Sequence, residues 1–260
     1  MRRVIVLLGL AALLAATAAL AYVQDRSPKT GAALRWKGGA LTLILARTAR
    51  SQDLSESEVR RAVAAALAVW DHCNNPCSRV ELRLAEGTTD NEVVEDGVSS
   101  LSFREERWSR NGRAEVLARY PASMLALTSL YAKPRPGQSM VAEIAEADIE
   151  LNAVDFRFST DGRVSQSASR TRDLETVLIH EIGHILGLGH NCAMTERERR
   201  FVDHLGHRLP LCSAASPVLR SAAMFPVESL ATAPILRDLS PDDRKALCAL
   251  YPVRASAKKR

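Results

Sequence analysis

The sequence lacks a large excess of charge of one sign. Its 35 Lys and Arg residues against 30 Asp and Glu residues give a formal charge of +5, and that excess lies at the two ends of the chain. Without Arg2 and Arg3 the charge is +3, and without the four basic residues of the tail, residues 253–260, it is about −1. Such a body offers no basic footprint for nucleic acid, so we expect no nucleic-acid partner. The tail is interpreted as a solvated terminus, with contact to an anionic envelope surface as the alternative.

The sequence also lacks internal repeats and the composition of a disordered chain. With 260 residues, 47% hydrophobic and 25% charged, it is long enough to bury a core. We predict one globular domain over residues 36–252, acting as a monomer. Residues 22–35 are polar, contain Pro28 and Gly31, and are interpreted as a linker.

The N-terminus has the features of an export signal. Arg2 and Arg3 precede an almost unbroken apolar run, residues 4–23, with a small-residue pattern ending at Ala21. This pattern is typical of a secretory signal peptide, residues 1–21. The alternative is an uncleaved membrane anchor, since the run is long enough to span a bilayer. Either way we expect a secreted, periplasmic or extracellular location, with no membrane contact if the signal is cleaved.

Cysteines are few but fit an exported protein with disulfide bonds. All five lie beyond the signal segment. Cys73 and Cys77 flank an Asn-Pro turn that could close a small disulfide ring, and Cys192 and Cys212 bracket a long polar insert. These two pairs are the candidate disulfides, with Cys248 expected to be the odd, buried thiol; the sequence alone leaves the connectivity open.

Hydrophobic periodicity predicts a mixed α+β domain. Ser55 and Glu58 form a capping box before a run of apolar residues at helical spacing. A second helix is predicted from about Asp173, and a third from Ser240, where Pro241 at the first helical position favours initiation. The strands are predicted at 40–46, 79–85, 97–103, 125–131 and 147–151.

The densest group of functional side chains is HEIGHILGLGH, residues 180–190. His180 and His184 are four residues apart, so on a helix both imidazoles lie on one face and can reach one metal ion. His190 cannot join them on that helix, because it would lie about 240° around from His184 and about 9 Å further along. The chain must therefore turn back, and Gly187 sits where a left-handed C-terminal turn is needed.

This spacing predicts one catalytic zinc ion. Three neutral imidazoles leave one position of a tetrahedral Zn²⁺ open, as in catalytic sites. Glu181 is rotated off the ligand direction and would approach a water molecule as general base. In a competing arrangement Glu196 or Glu198 would supply the third ligand, but His190 directly after the glycine turn argues against it.

The motif HExxHxxGxxH followed by a methionine turn resembles the metzincin peptidases. AMFP at residues 223–226 makes the chain similar to the matrixin branch, in its shorter bacterial form. The similarity includes ADIELN (147–152) and LSPDDRKALCALYP (239–252) and covers roughly residues 36–252. It implies a zincin-like fold: a twisted mixed sheet of about five strands, an active-site helix, a Met-turn and a C-terminal helix.

The resemblance also assigns roles to residues. It implies zinc ligation by the three histidines of the motif and general-base catalysis by Glu181. It further implies a supporting group around the site, with one of the two aspartates bracing the Met-turn: Gly187, Met224, Pro226, Asp242 and Asp243.

Two departures from matrixins limit what the resemblance implies. The only histidine before His180 is His72, so the three-histidine structural zinc site of matrixins cannot form there; calcium binding is undecided. The inhibitory cysteine of a matrixin prosegment is also missing, because no cysteine precedes Cys73.

The function that follows is a secreted zinc metalloendopeptidase acting on protein or peptide substrates. The resemblance places an extended substrate along an edge strand, with residues 125–131 as the candidate. The alternative is an exported zinc-binding adhesion module with little or no turnover. An intact Glu181 argues against that alternative, because metal binding alone does not require the base.

Overall fold

The structure, a computed structural model, describes residues 22–47, 51–90, 93–113, 119–165, 170–226 and 235–253. The predicted signal peptide and residues 254–260 of the predicted tail lie outside the described residues. Among the described helices, none is long and apolar enough to cross a membrane.

The described strands and helices follow one another in a mixed order. In chain order they are β1 (Val23–Gln24), β2 (Ala33–Trp36), β3 (Ala40–Ala46), α1 (Glu56–Trp70), β4 (Glu81–Thr89), β5 (Ser99–Arg104), β6 (Ala126–Arg135), β7 (Gln138–Asn152), β8 (Arg157–Ser159), β9 (Thr171–Asp173), α2 (Leu174–Ile185), β10 (Leu188–Gly189), α3 (Pro217–Arg220) and α4 (Pro241–Leu250). The five predicted strands and the three predicted helices are all present.

The main sheet is largely parallel, with one antiparallel strand. Its order is β2-β7-β5-β3-β4, and β6 also pairs with β7. Residues 142–144 of β7 pair with both β2 and β6, and residues 149–151 pair with both β5 and β6. Hence β2 and β5 share one edge of β7, and β6 lies alone on the other. The fold class is confirmed as a mixed matrixin-like fold, with six strands in this sheet instead of about five.

Helix α1 packs against one face of the sheet and against α2. The capping box of Ser55 and Glu58 is formed as predicted, and the apolar positions of the helix face the core. At its last turn, Trp70 Nε1 donates a hydrogen bond to the Ile179 carbonyl of α2 at 2.9 Å. The hydrogen bond fixes α1 against the middle of α2.

The opposite face of β7 carries three buried carboxylates. Ala147, Ile149 and Leu151 belong to the hydrophobic core, so Glu146, Asp148 and Glu150 alternate onto the other face; all three are buried. The charge of Glu150 is balanced by the Arg104 guanidinium, with Nε and Oε1 2.7 Å apart.

The interpretation of residues 22–35 as a linker is wrong for most of that segment. Val23–Gln24 pairs antiparallel with β10, and β2 pairs with β7. Within a polar sequence, Val23 and Leu34 are buried. Two short strands therefore fasten the segment to the domain.

One of the two disulfide predictions is wrong. Cys77 is bonded to Cys248, so the free thiol is the exposed Cys73 and not the buried Cys248 expected from the sequence. The reason is a long-range pairing: Arg79 N–H donates to the Tyr251 carbonyl, and the Cys77 carbonyl accepts from Val253 N–H. These bonds bring Cys77 to α4, which carries Cys248. The predicted pair Cys192–Cys212 is bonded.

Candidate metal centre

Helix α2 starts at a charged cap. Asp173 accepts a hydrogen bond from Thr176 N–H at 3.0 Å and pairs with the Arg237 guanidinium. Burial alone would raise the pKa of Asp173, but the hydrogen bonds from Arg237 and Thr176 outweigh it and the pKa is lowered. The cap carboxylate is therefore anionic at neutral pH and complements the helix dipole.

The chain turns back directly after α2, at Gly187. This residue has φ +83°, and a Cβ there would collide with the Leu34 carbonyl oxygen of β2. The Gly187 carbonyl accepts a hydrogen bond from Asp25 N–H at 2.8 Å. The turn thus requires glycine for both conformation and space, and the N-terminal segment holds it in place.

The turn brings the third histidine to the other two. The Nε2 atoms of His180, His184 and His190 lie 3.1–3.2 Å from one another. The centre of such a triangle is about 1.8 Å from each corner, close to the Zn–N distance of about 2.0–2.1 Å. The three nitrogens could therefore hold one metal ion.

The other ring nitrogens fix the orientation of the imidazoles. His180 Nδ1 is 2.7 Å from the Ala223 carbonyl, and His184 Nδ1 is 2.8 Å from the Leu188 carbonyl. A carbonyl only accepts, so Nδ1 carries the hydrogen and Nε2 keeps its lone pair. Burial, and then the neighbouring His184, lower the pKa of His180 to about 3. The neutral imidazole is the form that binds a metal.

Glu181 is a residue of α2, and its side chain contacts the edge strand β6. Its carboxylate is buried, and its Oε2 accepts a hydrogen bond from the Thr128 hydroxyl at 2.6 Å. Burial raises the pKa of Glu181, against the opposing effects of His184 and the Thr128 hydrogen bond. The raised pKa brings the carboxyl closer to the range that suits proton transfer near neutral pH.

Met224 lies against α2, as part of a tightly packed turn. A Cβ at Gly183, between the two helical histidines, would collide with Met224 Sδ and come within 3.1 Å of the Trp70 ring. Only a residue without a side chain fits there. Of the two candidate aspartates, Asp243 contacts the turn: its carboxylate accepts hydrogen bonds from Ala223 N–H at 2.8 Å and Met224 N–H at 3.3 Å.

The disulfide Cys192–Cys212 anchors the long insert next to this turn. Both cysteines pack with Phe225, which follows Met224, in one small hydrophobic cluster. Pro226 is buried as well. The insert also reaches the N-terminal segment, where the His204 ring stacks on Tyr22 with a centroid distance of 4.0 Å.

Three residues of the site were missed by the sequence analysis. Gly183 could have been found, since glycine lowers the stability of a helix interior and its presence between two helical histidines therefore needs a reason. Thr128 and Asp25 could not, because nothing in their local sequence shows that they pack against Glu181 and the Gly187 turn. Glu196 and Glu198 are engaged elsewhere, with Arg199 and the Met194 N–H.

Three converging imidazoles on and after a helix, beside a buried carboxylate and under a sheet edge, define a metal-dependent peptidase of the zincin type. The chain belongs to the matrixin family, which its residues 35–196 match. Matrixins are zinc-dependent metallopeptidases that act on proteins. The match includes the three histidines and Glu181 and ends before Met224. No curated protein matches the chain.

Proposed function

We propose that the protein is a zinc-dependent endopeptidase that hydrolyses peptide bonds in extended segments of protein substrates after export. The observation that supports this most directly is the convergence of three imidazole Nε2 atoms within 3.2 Å of one another. His180, His184 and His190 would hold the zinc ion. The two disulfides accord with an oxidising, extracytoplasmic location.

Zinc in such a site acts as a Lewis acid that acidifies water and polarises a carbonyl group. Glu181 would take a proton from the attacking water molecule and pass it to the departing amine. The Thr128 hydroxyl keeps the Glu181 carboxylate facing β6, so the base and the substrate strand are fixed relative to each other. The backbone carbonyls bonded to Nδ1 of His180 and His184 keep the Nε2 lone pairs directed at the site.

The substrate would add to the sheet at β6. Among the described strands, β6 pairs with β7 only, so its outer backbone edge offers donors and acceptors to an extended peptide. Thr128 lies on this strand and contacts Glu181. A peptide paired with β6 would therefore pass beside the base.

The test uses a denatured protein mixture as substrate and compares wild type with Glu181→Gln. We expect wild-type cleavage that a zinc chelator stops and added zinc restores. Glu181→Gln should lower the rate by about 10²- to 10⁴-fold, the contribution typical of a general base. Glu175→Gln, near the start of the same helix, is the matched control and should retain activity.

The opposite result is equally clear. If the wild type binds zinc but cleaves no protein that Glu181→Gln leaves intact, the peptidase proposal fails. The zinc-binding adhesion module is then the better description. Zinc affinity of both variants, measured by competition with a chromophoric chelator, shows that the metal is present in the comparison.

A further inference from the structure

A second group of potential metal ligands lies at the C-terminal end of α1. Asp71, His72 and Cys73 are consecutive, and each offers a ligand atom within 4.8 Å of the others. They line a cleft of about 480 Å³ that also contains Glu81. None of these residues belongs to the site described above.

His72 is oriented as a metal ligand would be. Its Nδ1 is 3.0 Å from the Val80 carbonyl and 3.1 Å from Asp71 Oδ1, both acceptors, so Nδ1 carries the hydrogen. The lone pair is then on Nε2, which lies 3.7 Å from Cys73 Sγ. His180 and His184 use the same arrangement, with a backbone carbonyl on Nδ1.

Asp71 holds the turn and contributes negative charge. Its Oδ1 accepts from Cys73 N–H at 2.9 Å and its Oδ2 accepts from Leu82 N–H at 2.8 Å. Burial would raise the pKa of Asp71, but these backbone hydrogen bonds outweigh it and the pKa is lowered. The carboxylate is therefore charged at neutral pH. Oδ1 already accepts from Cys73 N–H and faces His72 Nδ1, so Oδ2, with one donor, is the oxygen that keeps a lone pair for a cation.

Cys73 is the one free cysteine, since the other four are paired. A hydrogen bond with Asp71, followed by the small effect of burial, raises the pKa of the Cys73 thiol. The thiol is therefore a poor nucleophile at neutral pH. A bound cation would reverse this, because a coordinated thiol loses its proton.

We propose that Asp71, His72 and Cys73 form a second, surface zinc site, with Cys73 Sγ and His72 Nε2 as principal ligands and an Asp71 carboxylate oxygen as the third. Glu81 or water would complete the coordination. A thiolate and an imidazole favour zinc over calcium or magnesium, which prefer oxygen ligands. Binding transfers the thiol proton to solvent, so that Zn²⁺ binds a thiolate.

The site would fasten the end of α1 to β4. His72 and Asp71 already hydrogen-bond to Val80, just before that strand, and to Leu82, its second residue. A zinc ion bound by the same two side chains would stabilise this turn. The proposal is independent of peptidase activity, because it involves no residue of the histidine triangle.

Cobalt(II) is the probe, because a cysteine ligand gives a thiolate-to-cobalt charge-transfer band that histidines do not give. Metal-free protein with both disulfides intact is titrated with Co²⁺ and, separately, with Zn²⁺. We expect two bound ions per wild-type chain, with the thiolate band following one of them. Cys73→Ser should lose the band and one ion, while keeping the other ion.

His72→Asn tests the geometry. Loss of a residue that merely orients a metal-binding histidine costs about 10- to 100-fold in affinity, so loss of the ligand itself should weaken the band-forming ion at least as much. His207→Asn is the matched control: His207 is exposed and contacts Asp203, and it belongs to neither group of possible metal ligands among the described residues. It should leave both ions unchanged.

Several results would overturn the proposal. The first is a single bound ion with no thiolate band, and the second is a band that His72→Asn leaves unchanged. The third is a band found only in the dimer fraction when the protein is separated by sedimentation. The fourth is the absence of a free thiol when the unfolded chain is titrated with a thiol reagent. Retained cobalt binding by the histidine triangle shows that each variant is folded.

Discussion

The two groups of possible metal ligands, the histidine triangle and the Asp71–Cys73 turn, orient their imidazoles alike but are held in place differently. In both, Nδ1 is bonded to a backbone carbonyl and Nε2 faces the site. In the histidine triangle, His180 is buried, at 3% exposure. The triangle depends on a glycine turn and an N-terminal strand. The His72 side chain is 44% exposed and lies in one short turn. Because His180 is buried while His184 and His190 are partly exposed, changes around His180 should affect folding and metal binding together.

The largest effect is expected at the glycine turn. Gly187→Ala places a side chain at φ +83° and against the Leu34 carbonyl. We expect the free energy of unfolding to fall by about 2–4 kcal/mol and zinc affinity to fall with it, measured by urea unfolding and chelator competition. Gly137→Ala is the matched control, since it has φ +74° but nothing within 4 Å. Equal losses in the two variants would show that space at Gly187 does not matter.

The next effect concerns the brace of the Met-turn. Asp243→Ala removes the acceptor of four donors: the Ser240 N–H and hydroxyl, and the N–H groups of Ala223 and Met224. Buried donors without a partner are costly, so we expect a loss of about 2–3 kcal/mol in urea unfolding. His180 hydrogen-bonds to the Ala223 carbonyl, so zinc affinity should fall too. Unchanged zinc affinity would mean that the turn and the metal centre are uncoupled.

The neighbouring aspartate should behave in the opposite way. Burial, and then the charge of Asp243, raise the pKa of Asp242 to about 6. Its Oδ1 is buried without a hydrogen bond. A carboxyl whose pKa is higher in the folded state stabilises fully below the unfolded pKa of about 3.9 and loses that contribution as pH rises through the folded pKa. Wild type should therefore lose stability between about pH 4 and pH 6 from this group.

Asp242→Asn removes the charge and that pH dependence. We expect a gain of about 1–2 kcal/mol at pH 7 and no gain at pH 4, from unfolding curves at both pH values. Asp238→Asn serves as the control, because Asp238 is exposed and should change little. A variant that is less stable than wild type at pH 7 would show that the Asp242 charge has a partner that stabilises it.

The sequence predicted the parts of the fold that local patterns determine. Ser55, Glu58 and Ser240 begin helices where their side chains cap them, and the strand at 40–46 was found to the residue. The position of His190 followed from helix geometry and one glycine. These features depend on neighbours within a few positions, so a single sequence contains them.

The errors arose where distant segments meet. The Cys77–Cys248 bond spans 171 residues and depends on the pairing of residues 77–79 with 251–253. Residues 22–35 looked like a linker because their strands acquire partners only from β10 and β7. The wrong pairing of Cys73 also hid the second cluster, since a cysteine assigned to a disulfide cannot be a ligand.

The smallest effect on stability is expected at the exposed Asp71–Cys73 cluster. Whether the stability of this cluster depends on zinc shows whether it binds metal, as the histidine triangle is proposed to do. In metal-free protein, Cys73→Ser should change the free energy of unfolding by less than about 0.5 kcal/mol, as surface changes usually do. Ligand binding to the folded state adds stability in proportion to the logarithm of its concentration. Excess zinc should therefore raise the thermal midpoint of wild type more than that of Cys73→Ser. If Cys73→Ser instead loses much stability in the absence of zinc, Cys73 is a packing residue and the cluster is only a structural turn.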